Sequence, residues 1–160
     1  MKFDRTSLEI EGFTGWLTFD EARTSNSIPT SGGVYVVNYS GCEPVTFFAQ
    51  NRGGRFKGRD PTVSPTALAA NWVASEVVYI GKADQLRRRI RQFADFGAGK
   101  PVGHWGGRLI WQLAEPDKLR VAWKETPDRV PADVEAEMLA TFRRQFEKPP
   151  FANDPHLLGR

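Results

Sequence analysis

Arg87, Arg88, Arg89 and Arg91 crowd onto one short segment directly after the apolar stretch Val77–Ile80 and a small turn. Leu86, Ile90 and Phe93 recur there at helical spacing, so the segment reads as a helix. Like charges three and four residues apart on a helix repel, and the arrangement implies an anion nearby. The competing reading is a solvated, charged helix face. A second basic group, Arg52, Arg55, Lys57 and Arg59, lies among glycines in NRGGRFKGRDPTVSP, a stretch without apolar periodicity that reads as a loop. Other side chains able to do chemistry are scattered. Tyr35 and Tyr79 fall on strand-like runs and taken alone read as core aromatics. Glu135 and Glu137 open a late helix, where acids are favoured by the helix dipole. His104 stands in the glycine-rich GAGKPVGHWGG, and Asn153 follows Pro149-Pro150 as a turn former.

The elements that must position these residues are legible in outline. Thr18 with Glu21 three residues on forms a capping-box pattern for a short helix. VYVVNY and VTFFAQ read as strands, and Ser64-Pro65 as the cap and first turn of a helix over PTALAANWVA. VVYI is a strand again, and Asp84 is the expected cap of the arginine-bearing helix. RLIWQL and KLRVAWKET read as two strands split by the turn EPD, and Val134, Met138, Leu139 and Phe142 mark one face of a helix over 131–146. The order β-β-α-β-α-β-β-α gives an α+β layer.

The 160 residues, 40% hydrophobic with five Trp, suit one globular domain. An excess of 22 Lys plus Arg over 19 Asp plus Glu is too small to argue for nucleic acid by itself. The single cysteine, Cys42, excludes an intramolecular disulfide and a Cys-rich zinc site. The charged N-terminus does not read as a signal peptide and no run approaches membrane-spanning length, so a soluble, cytoplasmic protein without membrane partners is expected.

Gly33-Val34-Tyr35 on one strand and Tyr79-Ile80-Gly81 on another, followed by a helix bearing Arg89, resemble the two motifs that name the GIY-YIG nuclease superfamily. Glu135, with Met138 and Leu139 behind it, matches the family's glutamate pattern, and Asn153 in PPFAN its closing asparagine. The resemblance runs from about Gly33 to Asn153. It implies a small central antiparallel (or mixed) β-sheet flanked by helices, in a single domain over 1–160. The core would span about 31–154, with an N-terminal extension over 1–30 and an insertion over about 39–75.

It also implies metal-dependent hydrolysis of phosphodiester bonds. Arg89 would stabilise the phosphate, since a guanidinium stays charged and binds phosphate bidentately. Glu135 would hold one divalent cation, Mg²⁺ or Mn²⁺. Tyr35 is the expected base and Tyr79 its orienting partner, with Lys82 placed to lower the Tyr35 pKa. Arg87, Arg88 and Arg91 would spread over surface that holds the sugar-phosphate backbone, beside Gly81 and Asn153. The insertion, with Arg52, Arg55, Lys57 and Arg59, is the candidate for reading bases. Many family members carry His or Tyr one turn after the arginine, where this chain has Phe93; His104 is the candidate replacement, as proton donor or phosphate ligand. DNA is the expected partner, with RNA and a homodimer left open. The alternative function is a catalytically silent nucleic-acid-binding module, and a small-molecule enzyme on the same scaffold is a third.

Overall fold

The computed structural model describes residues 1–153. The chain forms α1 (Arg5–Ile10), β1 (Thr14–Leu17), α2 (Phe19–Ala22), β2 (Gly33–Tyr39), α3 (Pro65–Asn71), β3 (Val77–Ala83), α4 (Leu86–Gly97), β4 (Leu119–Glu125) and α5 (Pro131–Phe146). A 3₁₀ segment, Trp105–Gln112, lies between α4 and β4. The strands make one four-stranded sheet in the order β1-β4-β2-β3, every pair antiparallel, so the fold is α+β with helices flanking an antiparallel sheet.

β2 is the central strand, and its alternation divides the core. Tyr35, Val37 and Tyr39 point to one face, where Ile90, Phe93 and Phe96 of α4 pack together with Leu109, Ile110 and Trp111. Val34 and Val36 point to the other, against Leu8 of α1 and Met138 and Phe142 of α5. The site residues therefore depend on which face each strand residue takes.

Local chemistry explains the ends. Thr18 and Glu21 form a complete capping box, and Ser64 caps α3 with Pro65 in its first turn. The cap of α4 differs from expectation: it is Gln85, whose side chain accepts from the Arg88 amide at 3.0 Å, not Asp84. The N-terminal segment also holds more than the short helix expected there, since α1 and β1 precede it and β1 extends the sheet beside β4.

Two expected strands are absent. RLIWQL is wound into the 3₁₀ segment, and every residue from Gly107 to Gln112 is buried. A continuous apolar run of this length looks alike as a buried strand or a buried helix turn. VTFFAQ makes only an isolated bridge, Phe47 with Leu113. The Phe48 amide donates to the Gln112 carbonyl at 2.7 Å and the Ala114 amide to the Thr46 carbonyl at 3.0 Å. This segment pairs with the end of the 3₁₀ segment rather than with the sheet.

β3 is an edge strand, and its outer side is covered. The Asn153 carboxamide accepts from the Ile80 amide and donates to the Ile80 carbonyl, both at 2.8 Å, while the Ala152 amide donates to the Val78 carbonyl at 2.8 Å. Asn153 thus imitates a neighbouring strand and closes an edge that would otherwise invite pairing. Its expected place among substrate-binding groups is corrected accordingly, because both ends of its amide are engaged by the main chain. His156 lies outside the described residues.

Replacing Asn153 by Ala should remove two main-chain partners from β3. The expected loss is about 1–2 kcal/mol of unfolding free energy. A shift of the urea midpoint with an unchanged denaturant slope would register it.

Candidate active site

The register of β2 against β3 places Tyr35 opposite Gly81 and Val37 opposite Tyr79. A Cβ at position 81 would collide with the rings of both Tyr35 and Tyr79. Gly81 is the floor on which the Tyr35 ring lies. With that space open, the two tyrosine rings sit 6.0 Å apart between centroids, tilted by 40°.

α4 and the connection after it form the roof. Phe93 projects from α4 toward both tyrosines, 5.3 Å from the Tyr79 ring centroid and 6.4 Å from that of Tyr35. The His104 imidazole lies flat on Phe93, 3.7 Å between centroids with planes 7° apart. Its Nε2 is 2.7 Å from the Tyr35 hydroxyl. His104 therefore fills the space between Phe93 and the Tyr35 hydroxyl. It is completely buried, which removes the option of a surface phosphate ligand.

Arg89, one turn before Phe93, donates from Nη1 to the Gly103 carbonyl at 2.6 Å and to Gln92 Oε1 at 3.2 Å. The guanidinium is tied to the residue preceding His104, so one helix braces both groups. Gln92, three residues on, was legible in principle as an i,i+3 neighbour. The Gly103 carbonyl has no sequence signal.

Burial dominates the electrostatics. It pushes the Tyr35 hydroxyl well above 10, with Tyr79 adding to the rise and the Arg89 cation pulling against it. Tyr79 is pushed up to about 12, again by burial, with Arg89 lowering and Glu135 raising it. Burial, then the Arg89 charge, holds His104 well below 6.5. At neutral pH both tyrosines are phenols and the imidazole is neutral.

Lys82 does not act where expected. It pairs with Val34, on the sheet face opposite Tyr35, and is exposed. Its charge lowers the pKa of Glu135, whose carboxyl is raised by half-burial on α5. The cation near the tyrosines is Arg89.

Glu135 makes no hydrogen bond or ion pair with the described residues, which also hold no cluster of three metal-ligating side chains. Its neighbour Glu137 is bound by Arg129 at 2.6 and 2.7 Å and is exposed. An unpaired, half-buried carboxylate fits a hard cation that takes one protein ligand and keeps several waters, as Mg²⁺ does.

The remaining arginines divide. Arg87 donates from Nε and Nη2 to the carbonyls of Ile28 and Asn26, each at 2.9 Å, and Arg91 from Nη2 to that of Ser25 at 2.9 Å. Both staple the loop entering β2 while remaining partly exposed. Arg88 is exposed, and with Arg89, Ala83, Asp84, Gln85 and Gln92 it lines a shallow cavity of about 190 Å³.

The insertion is docked, not loose. The Asn51 side chain donates to the Arg108 carbonyl at 2.8 Å, the Gly54 amide to that of Phe96 at 2.9 Å, and the Val63 amide to Gln112 Oε1 at 3.0 Å. Its cations remain exposed. Arg52 lies over Trp111 at 5.3 Å, Arg59 over Trp105 at 4.7 Å, Lys57 over Phe56 at 5.3 Å, and Arg55 meets Asp60 at 3.3 Å. Because Trp105 follows His104 directly, these charges border the buried cluster.

The raised Glu135 pKa has a sign for stability. The unfolded chain ionises this group more readily than the folded one, so its charge opposes folding once pH rises above about 4.5. In metal-free buffer Glu135→Gln should be more stable than the parent chain at neutral pH, and the difference should close as pH falls through that value; paired thermal melts would measure it.

Set beside known proteins, the chain matches no family model, no curated protein and no solved structure, so the reading of this site stands on its residues and their geometry.

Proposed function

We propose that this chain is a divalent-metal-dependent endonuclease acting on DNA, with a site of the GIY-YIG type. The observation that carries the proposal is convergence. Tyr35, Tyr79, Arg89 and Glu135 come from β2, β3, α4 and α5, yet Arg89 acts on both tyrosines and Glu135 acts on Tyr79. Strand packing alone would not set a cation beside both phenols and an unpaired carboxylate within electrostatic reach of one of them.

Each group has a task in phosphodiester hydrolysis. Arg89, held by Gly103 and Gln92, presents a fixed guanidinium to the scissile phosphate and stabilises the charge that builds on it. Arg88, beside it, and the exposed cations of the insertion hold flanking phosphates. Tyr35 as phenolate takes a proton from the attacking water as the new P–O bond forms and the bond to the 3′-oxygen breaks. Tyr79, the more exposed of the two at 8% against 1%, orients that water. Glu135 would hold Mg²⁺ or Mn²⁺, which when bound supplies Lewis-acid stabilisation of the leaving oxygen.

A phenol held above 10 gives this chemistry a pH signature. The reactive phenolate is a small fraction at neutral pH, so the rate should climb about tenfold per pH unit through the neutral and mildly alkaline range. A flat profile there would exclude a tyrosine base.

The direct test is supercoiled plasmid with Mg²⁺ or Mn²⁺, comparing the parent chain with Glu135→Ala and Arg89→Ala. Metal-dependent nicking should vanish in Glu135→Ala. Arg89→Ala should lose at least ~10²-fold in rate while DNA retention changes far less. Plasmid that is shifted on a gel but never cut, on a genomic substrate as well, would replace the nuclease with a binding module. Retention of neither DNA nor RNA at low salt would end both readings.

A further inference from the structure

We infer that His104 donates its Nε2–H to the Tyr35 oxygen, and so acts as the positioning residue for that hydroxyl in place of a polar side chain on α4. Stacking flat on Phe93 fixes the plane of the imidazole, and the 2.7 Å contact fixes which nitrogen meets Tyr35. What remains open is which partner supplies the proton. The other ring nitrogen, Nδ1, is buried and has no hydrogen-bond partner.

That orphan decides the tautomer. A neutral imidazole carries one N–H and one lone pair. If the proton were on Nδ1, a buried donor would face only the histidine's own main chain, outside hydrogen-bond geometry, while Tyr35 donated to Nε2. If the proton is on Nε2, the Tyr35 hydroxyl turns its own proton toward the neighbouring Tyr79, whose ring lies 6.0 Å away between centroids, and only a bare lone pair is left at Nδ1. Orphaned buried N–H groups are rarer than under-satisfied acceptors. A doubly protonated ring is disfavoured on two counts: it would be a fully buried cation, and it would lie beside the charge of Arg89.

The surroundings hold the ring in this pose. A Cβ at Gly107 would run into the edge of Phe93 and crowd the His104 ring at 3.0 Å, so the turn after the histidine closes tightly over the stack. Gly103, just before it, receives the Arg89 hydrogen bond and lies against Phe56 of the insertion. Three separate elements thus fix one imidazole: α4 below, the glycine-rich connection around it and the insertion outside.

The direction of the bond matters for Tyr35. A donor pointed at a phenol oxygen favours its ionised form, whereas an acceptor favours the neutral one. The groups facing Tyr35 are Tyr79 from β3, Arg89 from α4 and His104 from the connection. Arg89 and His104 then act in the same direction, against burial. The consequence for rate rests on the nuclease reading above; the tautomer does not.

Nitrogen NMR of the labelled chain tests the assignment without substrate, and His104 and His156 are the only two histidines to assign. At neutral pH, a protonated Nε2 with a bare Nδ1 is the expected result. A protonated Nδ1 with a bare Nε2, or a ring protonated on both nitrogens, overturns it. A second arm compares His104→Gln, whose carboxamide can still donate, with His104→Leu, which cannot. Ring-carbon NMR of Tyr35 should titrate at higher pH in the Leu variant than in the Gln variant. Each unit of that rise should lower kcat about tenfold at neutral pH with little change in KM. Equal titration in the two variants, or a lower value with Leu, overturns the assignment. A chain that cuts no DNA overturns the nuclease reading alone, because the nitrogen signals decide this inference either way.

Discussion

Tyr35 can lie across β3 only because position 81, directly opposite it, has no side chain. That absence fixes the rest of the cluster. The ring tilts over the edge strand toward Tyr79, its hydroxyl reaches the underside of the α4 layer, and His104 closes on it from the connection. A residue with a Cβ at 81 would push the Tyr35 ring back onto β2 and leave the imidazole facing nothing. The edge strand that carries Gly81 is itself held by Asn153, which supports the site from the outer side of β3.

The electrostatics show a site built against its own stability. Two phenols and an imidazole are packed among Phe93, Trp111 and the aliphatic core, with every ionisation opposed by burial. The Glu135 carboxylate has no partner among the described residues, is half-buried, and is relieved by Lys82 on its own side of the sheet. A fold selected for stability alone would place apolar residues at such positions, because buried polar groups with incomplete partners cost free energy. The orphaned Nδ1 of His104 belongs to the same pattern.

Much of this was legible before the fold was known, and the failures have specific causes. β2, β3, β4, α3 and α5 announce themselves through β-branched runs, caps and helical spacing. The runs at 45–50 and 108–113 do not, because a short apolar stretch carries no period that separates strand from helix. The face that Lys82 takes is legible in the sequence. Alternation along β3 puts it on the opposite face from Tyr79 whatever the register, so it was never aligned with the tyrosines. Arg87 and Arg91 are a different case. Their partners are the main-chain carbonyls of Ser25, Asn26 and Ile28, and no residue type advertises an acceptor that every residue possesses. The stacking of His104 on Phe93 is likewise a tertiary event between two elements whose separation in sequence says nothing about distance.

The insertion and Phe93 are best understood together. The 3₁₀ segment that follows His104 exists because the insertion supplies its polar partners. Gln112 is buried and fully engaged, donating to the carbonyls of Phe48 at 2.9 Å and Val63 at 2.5 Å and accepting from the Val63 amide at 3.0 Å. Asn51 does the same for the Arg108 carbonyl. Without those contacts a buried 3₁₀ turn would strand main-chain and side-chain groups away from water. A chain joining β2 to β3 by a tight hairpin would lack them. Here the longer connection folds back, fixes the turn and delivers the imidazole from outside the helix. Phe93 is then free to be what the imidazole needs beneath it, a flat apolar surface, and the same connection leaves Arg52, Lys57 and Arg59 exposed along the rim.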